Sequence, residues 1–196
     1  MFSAACERNR EPIRAVLDGV LPASGDVLEI AAGTGMHSVY LARAFGGVRW
    51  YPTDADPHAL VSIAAWREAE GTPNLEPPRA LDVTSDAWPL ERADAIFNAN
   101  MIHISPWACT EGLMRGAGRR LGGSAPLVMY GPYKIGGAHT AESNERFDAS
   151  LRARDPSWGV RDLEAVVELA AAAGLALDAR HAMPANNLTL VFRKVR

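Results

Sequence analysis

Cysteine is nearly absent from this chain: Cys6 and Cys109 are too few for a disulfide framework or a zinc site and read as buried or incidental thiols. No window approaches the roughly 20 apolar residues that span a bilayer, and the opening "MFSAACERNREPI" is too polar for a signal peptide. A basic excess is missing as well. The net charge is −3, and basic residues such as Arg119 and Arg120 fall in small groups, which argues against a dedicated nucleic-acid binder. The five histidines, at 37, 58, 103, 139 and 181, are scattered without ligand spacing, so no metal is expected. Gly/Ser linkers, internal repeats and low-complexity tracts are lacking too. Together these absences point to a cytoplasmic protein with no membrane or nucleic-acid partner, and they leave its oligomeric state open.

What is present is ordinary in amount and informative in order. With 196 residues, 48% of them hydrophobic and 22% charged, the chain suffices for one domain with a full core. Apolar strands alternate with helical patterns. Pro12 opens a helix, "PIRAVLDGVL", that places Ile13, Val16, Leu17 and Val20 on one face. "DVLEIAA" reads as a strand, "MHSVYLARAF" as a helix, "VRWYPTD" as a strand, and "PHALVSIAAWREAE" as a helix closed by Gly71. A third strand is expected near Arg79–Val83, a fourth at Ala93–Asn98, and a fifth in "APLVMYGPY". "CTEGLMRGAGRRL" is helical in outline, and "VRDLEAVVELAAAAGL" is a strong amphipathic helix that Gly174 stops. Two last strands, "LALDARHAM" and "NLTLVFRKV", are joined by a Pro/Asn turn. Such alternation implies a Rossmann-like α/β fold: a three-layer α/β/α sandwich on a mostly parallel seven-stranded sheet. The C-terminal hairpin makes the final strand antiparallel.

The stretch "VLEIAAGTGMH" runs from strand through a glycine turn into a helix. Gly33 and Gly35 allow a tight turn with backbone N–H groups open to a ligand. A dinucleotide fingerprint wants a third glycine where Ser38 stands, and a G-x-x-x-x-G-K phosphate loop is absent. Three acids add to the turn. Glu29, Asp54 and Asp82 each end a successive strand, at the edge where open α/β sheets bind ligands. Asp54 is placed for a ribose and Asp82 for an adenine amino group, whereas Asp56 reads better as a helix cap.

This pattern resembles the class I S-adenosylmethionine-dependent methyltransferases. "LEIAAGTG" is similar to their first motif, with Ala31 in place of its first glycine. Asp54 matches the ribose-binding acid, and Asp82 with Val83 matches the adenine-contacting position. The blocks "SAACERNREPI", "NANMIHISPW", "YGPYKIGGAHTAESNERFDASLRARDPSWGVRDLE" and "MPANNLTLVF" together resemble one methyltransferase-like family of unknown function. The resemblance implies S-adenosyl-L-methionine as cofactor, held by Glu29, Ala31, Gly33, Gly35, Asp54, Asp82 and Val83. It also suggests that Arg8, in a segment ahead of the first helix, pairs the methionine carboxylate; an ordinary exposed arginine is the alternative.

The loop "NANMIHISPW" is the best acceptor-facing segment, polar and aromatic together. Asn98 is assigned to the cofactor, and Asn100, Met101 and Trp107 to a small-molecule acceptor. His103 has the titration range of a general base, or else packs beneath the loop against a backbone carbonyl. "YGPY" brings Tyr130 and Tyr133 to the same edge. The non-sheet segment beyond, around 132–159 and including His139, reads as a lid-like insertion on a single domain spanning 1–196. The expectation is in-line methyl transfer to an oxygen, nitrogen or sulfur of a small molecule. The rivals are a non-catalytic S-adenosylmethionine-binding sensor or partner protein, and a nicotinamide-dependent oxidoreductase, against which Ser38 and the terminal hairpin argue.

Overall fold

Ser3 starts the first helix by accepting the Cys6 N–H at 3.2 Å, so α1 spans Ala4–Asp18 and begins well before Pro12. Its buried stripe of Cys6, Asn9, Ile13 and Leu17 keeps helical spacing straight through the proline. Pro12 costs the helix one hydrogen bond, the one to the Arg8 carbonyl, and the stripe outweighs it. Glu7, Arg8 and Asn9 therefore lie within the helix rather than ahead of it.

The computed structural model describes residues 1–195. After α1 come β1 (Gly25–Ile30), α2 (Met36–Ala44), β2 (Val48–Asp54), α3 (Pro57–Glu70) and β3 (Arg79–Ala80). Then follow β4 (Ala95–Ala99), α4 (Trp107–Arg120), β5 (Pro126–Gly131), β6 (Lys134–Ile135), β7 (Ala138–His139) and α5 (Glu142–Arg154). α6 (Leu163–Ala172), β8 (Leu175–Met183) and β9 (Asn187–Lys194) complete the chain. Seven strands form one sheet in the order β3-β2-β1-β4-β5-β9-β8. All of its neighbours pair in parallel except β9, which runs antiparallel to both β5 and β8. The expected architecture is the observed one. An all-parallel dinucleotide-binding sheet would place a sixth parallel strand beyond β5; here the β8–β9 hairpin occupies that edge.

Side-chain alternation assigns each strand residue to a layer. Val27 of β1 and Phe97 of β4 pack with Ile13, Leu17, Val39 and Leu41 of α1 and α2. Their neighbours Leu28 and Ile96 pack with Leu113, Met114, Val166 and Ala170 of α4 and α6. Two strand limits differ from expectation. β3 is only two residues long: it starts at Arg79 as expected, but past Leu81 the chain turns, Asp82 accepting the Thr84 N–H on its carboxylate and the Ser85 N–H on its carbonyl. β4 starts at Ala95, while Ala93 bridges to Leu121 instead.

The segment after β5 is not free of sheet. β6 and β7 form a small hairpin in which Lys134 faces His139, turned by Gly136 and Gly137 at φ 58° and 78°. Two glycines at positive φ are what a two-residue hairpin turn requires.

Candidate functional site

The turn between β1 and α2 is built on three residues in left-handed backbone: Ala31 (φ 54°), Gly33 (φ 59°) and Gly35 (φ 86°). The two glycines serve different ends. A Cβ on Gly35 would stand 2.7 Å from the Ile63 Cα of α3, so this glycine lets helix and turn touch. A Cβ on Gly33 would meet nothing within 4 Å; that position faces open space. The turn is tied to the end of β2: Ala32 N–H donates to the Thr53 carbonyl at 2.9 Å, and Gly33 N–H to Asp54 Oδ2 at 2.8 Å. Asp54 Oδ1 accepts the Asp56 N–H at 2.9 Å, and Asp56 in turn caps α3.

Ala31 bears a conformation that costs a non-glycine residue about 1–2 kcal/mol, and glycine returns part of that gain as unfolded-chain entropy. Ala31→Gly is therefore expected to raise the melting temperature by about 2 °C, equivalent to 0.5–1 kcal/mol. An unchanged or lower midpoint in a thermal scan would show that Ala31 is not strained.

Glu29 shares the alternation of Val27 and so points under α2 rather than out along the rim. Its Oε2 accepts the Ser38 hydroxyl and the Trp50 indole N–H, each at 2.6 Å. Burial pushes its carboxyl up to about 7, against the pull of those two bonds and with a further push from Asp54. Asp82 lies two residues beyond the end of β3, in a turn where it accepts the Thr84 N–H at 2.9 Å and hydroxyl at 2.7 Å. Those bonds hold its carboxyl below the usual range. Val83 beside it is buried. Asn98, at the end of β4, donates to the Ile30 carbonyl at 3.0 Å, while its Oδ1 is buried with no donor among the described residues.

The loop after β4 divides its side chains between two environments. Asn100, at φ 64°, faces a cavity. Met101 is buried behind it and accepts the Ser105 hydroxyl on both its carbonyl and its sulfur. His103 is fully buried, its ring edge-on to Tyr133 at 5.2 Å, and its Nδ1 takes the Arg161 N–H at 3.3 Å. Burial first, and then the Arg161 charge, push its imidazole down to about 3. His103 is thus a neutral packing residue that reaches no cleft, which corrects the expectation of a general base. It packs beneath the loop as the alternative held, with the backbone of both Gly159 and Arg161 hydrogen-bonded to its ring. Tyr133 is equally buried, and Trp107 lies under the Arg161 guanidinium at the start of α4. Neither lines the cavity, and nor does Met101.

That cavity, of about 680 Å³, sits over the ends of β4 and β5. α1 supplies Ala5, Arg8 and Asn9; α5 supplies Ser143, Asn144 and Phe147; and the β8–β9 turn adds Pro184, Ala185 and Asn187. Tyr130 and Pro132 complete the wall with Asn100. The Tyr130 hydroxyl accepts the Asn187 amide at 2.9 Å and is also hydrogen-bonded by Asn9. Asn9 further pairs with His37 Nε2 at 2.8 Å. Burial pushes His37 down to about 4, so this imidazole is neutral too. Sequence reasoning missed the hairpin contribution. Its signal was the "PANN" turn, where Ala185 and Asn186 both take positive φ.

His139 stands outside the cavity. It lies 3.3 Å from Asp148, which also meets Lys134 and Arg152 at 3.3 Å and accepts the Val160 N–H at 2.7 Å. This buried carboxylate fastens the β6–β7 hairpin and the 159–160 turn to α5, and so holds Asn144 and Phe147 against the cavity. Its own burial works against ionisation, but the surrounding donors outweigh it and its carboxyl lies below the ordinary range. Among the described residues no helix is long and apolar enough to cross a membrane.

Solved structures share this fold. An O-methyltransferase family 2 protein from Planctomyces limnophilus, solved with apigenin, is 19% identical with a TM-score of 0.77, over 95% of this chain and 62% of its own. Human N-acetylserotonin methyltransferase, solved with S-adenosylmethionine, is 13% identical with a TM-score of 0.80, over 98% of this chain and 53% of its own. The chain thus spans roughly half to three fifths of the length of these two enzymes. A candidate sarcosine dimethylglycine methyltransferase from Galdieria sulphuraria is 15% identical with a TM-score of 0.74, over 100% of this chain and 92% of its own. Identities this low establish the class I methyltransferase fold and nothing finer. The profile of a family described as "Protein of unknown function (DUF938)" matches residues 1–194.

Proposed function

The chain belongs to the DUF938 family, whose description assigns no activity, and from fold and site together we propose an S-adenosylmethionine-dependent methyltransferase acting on a small molecule. One observation carries the reading. The glycine turn and the cavity are linked through one residue: Asn9 lines the cavity and bonds His37 in the first turn of α2, two residues past Gly35. A donor site and an acceptor site that close together are what a transfer reaction needs.

The residues present fit the cofactor. Gly33 leaves open the space that a Cβ would fill, and Asn98 Oδ1 is a buried acceptor still lacking a donor. Buried acceptors of that kind call for an explanation, and a ligand N–H supplies one. In this reading Asp54 receives the ribose hydroxyls; a carboxylate has lone pairs beyond the two that the Gly33 and Asp56 N–H groups occupy. Asp82 and Val83 flank the adenine, Ala31 and the backbone to Gly35 border the methionine portion, and Asn98 accepts from its ammonium. Asn100 and Tyr130 face the acceptor, with residues 132–159 as the lid.

A bound sulfonium donor supplies a methyl group already activated by positive charge. What remains for the chain is to align an acceptor lone pair with that carbon and keep water out. α1 and α5 do the second from opposite sides of the cavity; Asn100 and Tyr130 do the first.

Calorimetry with S-adenosylmethionine and S-adenosylhomocysteine tests the cofactor half. Both are expected to bind, and Asp54→Ala to weaken S-adenosylhomocysteine about 30-fold, which is the roughly 2 kcal/mol of a hydrogen bond to a charged group. Absence of heat with either ligand on folded wild-type protein would overturn the assignment.

A further inference from the structure

The cavity wall is chemically one-sided. Among the described residues lining it there is no aspartate, glutamate, histidine, lysine or cysteine. Its single charge is Arg8, which has no ion-pair or hydrogen-bond partner among the described residues. Tyr130 adds a second donor. Its oxygen already accepts the Asn187 amide at 2.9 Å, and its own proton meets no acceptor among the described residues, which leaves it for a ligand. Burial pushes that hydroxyl above the usual phenol range, against the opposing influence of the neighbouring amides and of the Arg8 charge. The rest of the wall is uncharged: the amides and hydroxyl of Asn9, Asn100, Asn144, Asn187 and Ser143 alternate with apolar Ala5, Pro132, Phe147, Pro184 and Ala185.

A wall with a guanidinium, a phenolic donor and no base selects its ligand by charge and by protonation state. A neutral hydroxyl or a protonated amine would need a group to remove its proton, and none lines the cavity. Resting on the methyltransferase reading above, we infer that the acceptor is a small organic oxyanion with an apolar body, its charged end held by Arg8 and Tyr130. A carboxylate is the first such group and an acidic phenol the second. Such an acceptor needs no base. A lone pair on its oxygen forms the new C–O bond as the S–CH3 bond breaks, the electron pair of that bond passes to sulfur, and no proton moves. The product is a methyl ester or an aryl methyl ether. The inference also moves Arg8 from the cofactor to the acceptor, consistent with its place beside Tyr130 and Asn187.

The test uses protein saturated with S-adenosylhomocysteine and four probes: benzoate, 4-nitrophenolate, benzamide and benzylamine. Benzoate should bind at least tenfold more tightly than its uncharged isostere benzamide, and benzylamine more weakly still. 4-Nitrophenolate separates the two oxyanion sources by its rank against benzoate. With S-adenosylmethionine present, the better-bound oxyanion should yield its methylated product. Arg8→Ala should erase the preference for benzoate over benzamide, with S-adenosylhomocysteine affinity unchanged within twofold and the melting temperature preserved; Arg8→Lys should keep part of the preference. Equal or tighter binding of benzamide or benzylamine overturns the inference, as does failure of every probe to bind. Loss of S-adenosylhomocysteine affinity in Arg8→Ala with the benzoate preference intact returns Arg8 to the cofactor. Should S-adenosylhomocysteine not bind the wild-type protein, it is the methyltransferase reading that fails, and the probe ranking on unliganded protein then judges the wall by itself.

Discussion

Gly35→Ala is expected to lower the melting temperature by about 10 °C, whereas Gly33→Ala lowers it by only about 3 °C yet abolishes S-adenosylhomocysteine binding. Both glycines hold left-handed backbone, at φ 86° and 59°, so each substitution incurs about 1–2 kcal/mol of conformational cost. Only Gly35 adds a collision: its new methyl would stand 2.7 Å from Ile63 Cα, backbone that cannot rotate away. Overpacking of that sort costs a further 1–3 kcal/mol or so. Gly33 has no neighbour within 4 Å at the same position, so its methyl intrudes only on the space assigned to the ligand. Thermal scans and calorimetry on the two variants separate the roles. If Gly33→Ala retains wild-type affinity, the open space beside Gly33 is not where the cofactor lies.

The second large effect is in pH dependence. Glu29 is buried beneath the glycine turn with its carboxyl pushed up to about 7 from an ordinary 4.5, by burial above all. Between those two values the folded protein holds a proton that the unfolded chain has released. Stability contributed by the neutral carboxyl is therefore complete below about pH 4.5 and is lost progressively up to about pH 7. Glu29→Gln removes the penalty and keeps an acceptor for Ser38 and Trp50. It should gain on the order of 3 kcal/mol over wild type at pH 8 and little at pH 4, flattening the profile. Denaturant midpoints at pH 4, 6 and 8 give the comparison, and two parallel profiles would mean that Glu29 does not titrate in this range.

Much of the framework was legible because periodicity reports burial. The strand–helix alternation, the antiparallel last strand, the cap at Asp56 and the glycine turn follow from local patterns; the different surroundings of Gly33 and Gly35 depend on α3 and do not. The start of α1 was hidden because one member of its buried stripe is Asn9, a polar residue whose partners, His37 and Tyr130, are distant in sequence. Glu29 was misread for a related reason. Its place at a strand end suggested the rim, but period-two alternation puts it with Val27 under α2. His103 shows the limit most clearly. Its loop does reach the ligand edge, yet the 159–161 turn, more than fifty residues away, covers the ring: Gly159 N–H bonds its carbonyl at 2.9 Å and Arg161 N–H its Nδ1. The Gly136–Gly137 hairpin, by contrast, carried a plain two-glycine signal in "KIGGAH" that a non-sheet reading of the insertion passed over.

The Pro184–Asn187 turn supplies cavity wall from the far edge of the sheet, with β4 and β5 lying between its hairpin and the strand that leads into the glycine turn. Exchanging that short turn together with Ser143 to Phe147 of α5 would redraw the outline of the chamber while leaving the β1–α2 glycine turn untouched. The wall of the chamber is thus detachable from the glycine turn, and its shape can be altered without rebuilding the sheet.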